Sequence, residues 1–449
     1  MKISVQASAA DSHVIRELLS PWDAEPVGIE EAEVLIVYKE KPLESKKAVV
    51  IPSDSQVFDV WAKEIESGIV RGIGQQVSIL AGMHAVLTIT PTALYGNDGF
   101  LGGNVEERNA TEMKLNNDLS VLTLDVVKEY NRISDETLNA KSSSVYRLLA
   151  SSPIPYGIVP KRLTNFFLKS HQTPDSLTIC DKLPMDALRF ALIGALERLV
   201  GKKIRRKKWN GRNYVCLVTH DVETKKGLQT ACCLKKLEEK YNVPSAWYVP
   251  SRRYKLNHET IRTLANHGEV GAHDTTHDGK LAQLPQRRLV ERLREAKRDL
   301  EIVAGQAING FRAPLLQHNA RIIEALEETG YMYDTSIPTW EPIHPYTLKP
   351  HGIGTIYPLR FEGLIEIPVT LPQDHQLLHV LDLAPREIGE RWLEMAGVIK
   401  DLGGICTFLV HPDYQLAYPN SSVYEEILCT VASDNEAWIT VPSNINSFA

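Results

Sequence analysis

The chain has 449 residues, 43% of them hydrophobic and 24% charged, with a formal net charge of -6. That length allows two or three domains, the composition is that of an ordinary globular protein, and the charge argues against a general nucleic-acid binder. No stretch reaches the ~18 apolar residues of a membrane span, and the opening MKISVQASAADSH lacks the apolar core of a secretion signal. A cytoplasmic protein with no nucleic-acid or membrane partner is therefore expected. The cysteines, at positions 180, 216, 232, 233, 406 and 429, show no paired spacing. Cys216 and Cys406 lie in apolar runs, where a thiol acts as a small hydrophobe.

Residues 1–95 read as a small α/β domain of unknown role. KISVQ, EVLIVY and KAVVI have strand character, and SHVIRELL and SQVFDVWAKEIESG have helical periodicity. No Gly-rich phosphate loop accompanies them, so nucleotide binding has no support. The glycines of YGNDGFLGGN, at 95–104, mark a loop that closes this domain. Residues 96–205 read as a mostly helical connecting region. Its clearest helix is MDALRFALIGALERLVG, with a glycine after the end. The basic run from Lys202 to Lys208 reads as a solvated linker at the next boundary.

The region 206–449 has a different texture. The short apolar runs are YVCLVT, SAWYVP, EVGAH, INGFRAP, YMYDTS, LIEIPVT, ICTFLVH and AWITVP. Helical segments separate most of them. In one, Leu289, Leu293, Ala296, Leu300 and Val303 recur at intervals of four and three, with Gly305 as the stop. Strands alternating with helices imply parallel strands joined by right-handed crossovers. Eight strand candidates favour a (β/α) barrel, with a doubly wound open sheet as the alternative.

In parallel α/β folds chemistry sits at the carboxyl ends of the strands. Here those ends carry Asp221 and Glu223, His273, Arg312, Asp334 and His411. Such groups are costly to bury unless they pair or bind a metal. In VCLVTHDVET, alternation places Thr219, Asp221 and Glu223 on one face and His220 on the other. His273 and His277 lie four apart, so a helical turn after the strand would project both imidazoles from one face. Two histidines and a carboxylate with open positions form a catalytic zinc arrangement rather than a closed structural one.

These residues resemble the polysaccharide deacetylases with a NodB-homology domain (carbohydrate esterase family 4). That family is described by five short motifs on a distorted (β/α) barrel of seven to eight strands. THDVE at 219–223, HDTTH at 273–277, Arg312 to Pro314 in FRAP, Asp334 in YDTS and His411 after TFLV stand in the family's order. IEIPV at 365–369 is similar to a further strand of the family. The resemblance covers residues 213–449. It implies an α/β fold with a catalytic barrel over 206–449, preceded by the small α/β domain and the helical segment. It also implies a divalent metal, most simply Zn2+, held by Glu223, His273 and His277. Asp221 would be the general base, Arg312 would orient it, His411 would protonate the leaving amine, and Asp334 would tune His411. Pro314 and Leu315 would shape the acyl side of the substrate pocket.

Three positions depart from the common pattern. Val222 replaces the second of two adjacent aspartates, which passes the metal carboxylate to Glu223. Asp274 stands where a hydroxyl is usual, and Leu315 where an aromatic residue is frequent. The expected activity is hydrolysis of a non-peptide C–N bond in an N-acetylated carbohydrate or related small amide. The alternatives are a cyclic imide or ureide amidohydrolase on the same barrel, and a catalytically silent metal- or carbohydrate-binding protein.

Overall fold

The structure is a computed structural model that describes residues 1–38, 46–51, 112–114, 119–122, 125–144, 147, 179–344, 347–414, 416 and 422–447. The expected helix SQVFDVWAKEIESG and the loop at 95–104 lie outside the described residues. The chain divides into two compact units, Met1–Asp135 with Cys180–Lys207, and Glu136–Ile179 with Lys208–Ala449. The segment read as one connecting region is thus split between them.

Among the described residues the first unit has six strands: β1 (Lys2–Gln6), β2 (Glu25–Pro26), β3 (Val34–Tyr38), β4 (Ala48–Ile51), β5 (Glu112–Lys114) and β6 (Leu119–Leu122). Their order is β2-β1-β3-β4-β6-β5, parallel except for β5 against β6. VLIVY of β3 is buried throughout, as a central parallel strand requires. Helix α1 (Ala9–Leu19) is capped by the Ser8 side chain, which accepts from the Asp11 amide. Helix α2 (Val126–Leu138) follows β6, and α3 (Pro184–Val200) starts on a proline and stops at left-handed Gly201. The basic run lies at the boundary between the units, and its exposed Lys202, Lys203 and Arg205 pair within this one. Lys203 pairs with Glu197 at 2.9 Å, Arg205 with Asp23 at 3.6 Å, and Lys202 with Glu33. The Lys207 amide also donates to the Pro21 carbonyl at 2.9 Å.

The second unit contains all eight strands expected from the sequence: β7 (Tyr214–Asp221), β8 (Ser245–Val249), β9 (Glu269–Ala272), β10 (Gly310–Phe311), β11 (Tyr333–Asp334), β13 (Ile365–Glu366), β14 (Ile405–Leu409) and β15 (Ala437–Thr440). A two-residue strand, β12 (Leu359–Arg360), pairs antiparallel with β13 and gave no readable pattern. The helices are α4 (Lys225–Lys240), α5 (His258–His267), α6 (Gln286–Ala304), α7 (Ala320–Glu328), α8 (Pro385–Leu402) and α9 (Ser422–Ser433). The sheet runs β12-β13-β11-β10-β9-β8-β7-β14, with β15 also pairing with β7. It curls into a distorted, incompletely laddered barrel.

Side chains and single backbone bonds bridge the seam. Thr407 Oγ1 donates to the Pro368 carbonyl at 3.0 Å, and the Thr407 amide donates to Thr370 Oγ1 at 2.8 Å. The Ile405 amide donates to the Ile356 carbonyl at 2.9 Å. Gly310 on β10 is where the interior demands a missing side chain, since a Cβ there would lie 2.0 Å from the Tyr333 ring. That ring in turn donates through its hydroxyl to half-buried Glu269 at 2.5 Å.

Candidate active site

Strand β7 is buried along its whole length, and its two faces do different work. Thr219 and Asp221 face Arg312, which follows β10 and is fully buried. Arg312 Nη1 donates to Thr219 Oγ1 at 2.9 Å and to Asp221 Oδ1 at 3.1 Å. Its Nε donates to the Thr335 carbonyl at 2.9 Å and its Nη2 to Thr335 Oγ1 at 3.1 Å. The guanidinium lies 4.3 Å from the centre of the Tyr248 ring. Burial pushes the Asp221 carboxyl up, but the Arg312 guanidinium, together with the neighbouring imidazoles, outweighs it and holds it below the usual range. Asp221 is therefore an anion at neutral pH.

Glu223, His273 and His277 converge so that one ligand atom from each lies within 4.8 Å of the others. Glu223 Oε1 is 3.1 Å from His277 Nε2. His273 Nδ1 donates to the Arg312 carbonyl at 2.8 Å, which fixes the tautomer and turns the Nε2 lone pair inward. Burial lowers His273 to about 4, against the opposing pull of Asp221, so its ring is neutral. The Nε2 atoms of His273 and His277 are both buried without a hydrogen-bond partner. Two imidazoles with orphaned inward nitrogens beside a carboxylate fit a divalent metal of the zinc type. The histidines do not reach this position on a helix. Asp274 and His277 take left-handed conformations, φ 67° and 56°, and the intervening chain is an irregular loop.

His411, just past β14, points its Nε2 at both acids, 3.9 Å from Asp221 Oδ2 and 3.9 Å from Glu223 Oε1. Its other nitrogen meets Asp374 Oδ1 at 2.5 Å, and its amide donates to Asp374 Oδ2 at 2.8 Å. Burial pulls the imidazole down, but the charge and hydrogen bond of Asp374, with Glu223 and Asp221, raise it to about 9. The acid beside His411 is thus Asp374 rather than Asp334.

Asp334 accepts from the Thr335 amide at 2.9 Å and from Ser336 Oγ at 2.5 Å. It faces Glu366 across the β11–β13 register. Burial raises Asp334 to about 6, and burial together with the Asp334 charge raises Glu366 well above its ordinary value. Two buried carboxyls in register near Arg312 thus resist carrying both negative charges at once. Glu366 was visible as a lone acid inside IEIPV. Asp374, in the stretch LPQDHQ, carried no periodic signal.

His220 faces away from these groups. Its Nδ1 donates to the Val410 carbonyl at 2.9 Å, its Nε2 donates to Glu238 Oε1 at 2.9 Å, and its ring stacks on Trp247 at 4.1 Å. Ser245 donates to Glu238 Oε2 at 2.5 Å, and Tyr424 to Oε1 at 2.6 Å. Burial raises the Glu238 carboxyl, but His220 and the hydrogen bonds win and hold it at about 2, against an ordinary 4.5. Glu238→Gln is expected to cost about 3 kcal/mol, because it strands a buried proton donor. With the folded value depressed, the stabilisation is full above pH ~4.5 and is lost as pH falls towards ~2. Urea unfolding of both forms should show a gap at pH 5 that narrows in acid. A gap that widens there would contradict this account.

Pro314 is buried and Leu315 half-buried, and both Leu315 and Leu316 are left-handed, φ 59° and 51°. That turn delivers Leu316 to an apolar cluster with Val369 and Leu409.

The polysaccharide deacetylase family pattern matches residues 228–333. The chain is 23% identical over 242 residues to a peptidoglycan deacetylase of Helicobacter pylori, covering 46% of this chain and 79% of that one. Among solved structures it is similar to one from Mycobacterium smegmatis described as a polysaccharide deacetylase. There the identity is 22%, the coverage 54% of this chain and 92% of that one, and the TM-score 0.45. A family 4 carbohydrate esterase from Streptomyces lividans, solved with acetate, is 12% identical with a TM-score of 0.34, covering 50% of this chain and 91% of that one.

Proposed function

We propose that the chain, which is similar to the polysaccharide deacetylases, hydrolases of non-peptide carbon–nitrogen bonds, deacetylates an N-acetylated amino sugar or glycan with a bound divalent metal. The observation that carries the reading is the pair of buried, unpartnered histidine nitrogens facing Glu223. Glu223, His273 and His277 would hold the ion, most simply Zn2+. When bound, it supplies Lewis-acid polarisation of the acyl group and a more acidic water.

The protein's own groups handle the protons. Asp221, ionised and steered by Arg312, accepts the proton of the attacking water. His411, charged and oriented by Asp374, gives a proton to the departing nitrogen, so that the amine leaves neutral. The two stand 3.9 Å apart, Oδ2 to Nε2, and His411 Nε2 lies 3.9 Å from Glu223 Oε1 as well. Pro314 and Leu315 would shape the acyl side.

The test is metal analysis of the full chain followed by acetate release from N-acetylated sugars, sugar nucleotides and short oligomers. Stoichiometric metal and acetate release that chelation abolishes and zinc restores are expected. Metal without acetate from any of them would overturn the amino-sugar reading and favour a cyclic imide or ureide.

A further inference from the structure

The loop bearing the two candidate ligands contains two non-glycine residues in the left-handed region, a conformation the chain does not hold unaided. Its support comes from Arg292 on α6. Arg292 Nε donates to Asp274 Oδ1 at 2.6 Å, and Nη2 donates to Asp274 Oδ2. Nη1 donates to Asp278 Oδ2 at 2.9 Å, and Nη2 reaches Asp278 Oδ1 at 2.8 Å and Thr276 Oγ1 at 2.9 Å. Asp274 Oδ2 also accepts from the His277 amide at 3.3 Å. Asp274 and Asp278 each come directly after an imidazole, so one planar cation grips the chain beside both.

We propose that Arg292, through Asp274 and Asp278, is a positioning residue that presets His273 and His277 for the metal. The inference rests on the metal reading of Glu223, His273 and His277. It also accounts for the acid at position 274. A neutral hydroxyl there would give Arg292 a weaker partner, whereas a carboxylate takes both arms of the guanidinium fork. Asp274 is fully buried and turned to Arg292, so its departure from the usual hydroxyl serves ligand geometry. Lysine at 292 would keep the charge but not the fork, and could not hold two carboxylates in fixed orientation.

The experiment uses the full chain, stripped with chelator and titrated with Zn2+ and Co2+ against a chromophoric competitor. The variants are Arg292→Gln, Arg292→Lys and Asp278→Asn, with Arg288→Gln on the same helix as control. Arg292→Gln is expected to weaken metal binding roughly 10–100-fold, the usual effect of losing a partner that orients ligands. It should also alter the visible Co2+ spectrum. Arg292→Lys should recover part of the affinity, Asp278→Asn should lose less than Arg292→Gln, and Arg288→Gln should match wild type.

The proposal is overturned if Arg292→Gln binds both ions within about threefold of wild type with an unchanged spectrum, even if its melting temperature falls. Should Arg292→Gln fail to fold, Arg292→Lys and Asp278→Asn decide by the same criterion. Wild-type protein that binds neither ion overturns the metal reading itself, and this inference with it.

Discussion

Asp221→Asn is expected to keep its metal and lose turnover by roughly 10²–10⁴-fold, the range of a removed general base. Glu223→Gln is expected to fail in the other order, losing metal first and activity as a consequence. The two acids leave the same strand end but meet different partners. Asp221 is paired to a buried guanidinium that fixes its orientation and charge. Asparagine can keep the bond from Arg312 Nη1 to its oxygen, but it cannot take up a proton. Glu223 stands 3.1 Å from a histidine nitrogen with no other partner. Glutamine there leaves two imidazoles and a neutral oxygen, so affinity should fall and excess zinc should restore part of the rate. Bound zinc and rate, measured together for both variants, check this. Asp221→Asn without metal beside Glu223→Gln with metal would reverse the two assignments.

His411→Ala should bind metal normally and lose about a hundredfold or more in rate, with partial recovery on substrates that have better leaving groups. Asp374→Asn carries the sharper test. Asp374 is the main group raising His411 to about 9 against the effect of burial. The acid must be protonated to act, so activity should decline on the alkaline side as His411 loses its proton. Removing the Asp374 charge lowers the proton affinity of His411, and the alkaline limb should move to lower pH. An unmoved limb would show that another group sets it. Equal losses for good and poor leaving groups in His411→Ala would remove His411 from that step.

The parts of this site that were legible in the sequence share a physical cause. A parallel strand buried on both faces reads as an apolar run, so a charged residue that ends it stands out. Asp221, Arg312 and His411 were each found that way, and the structure brings them together. Two features were not legible. Asp374 lies between β13 and α8, at the start of a short helical segment that runs on to Val380, and its service to His411 depends on a contact across 37 positions. Asp334 ends its strand like the others, yet whether it meets His411 or Glu366 is decided by strand register. The helical expectation for HDTTH failed for a related reason. Spacing of four fits a helical turn, but Arg292, far along the chain, imposes an irregular loop with the same outcome for the imidazoles.

The seam of the barrel sets how the molecule breathes. Along the rest of the β7–β14 edge, amides are held by a ladder, and they should exchange with solvent deuterium only when the sheet comes apart. On the opposite edge of β14, the Thr407 amide is held by one threonine hydroxyl and the Ile405 amide by a single loop carbonyl. Rotation of the Thr370 side chain would release the first without disturbing any strand. Isolated bonds of this kind open locally, at a free energy well below that of global unfolding. The Thr407 and Ile405 protons should therefore be lost ahead of those of Cys406 and Phe408, their immediate neighbours on the same strand.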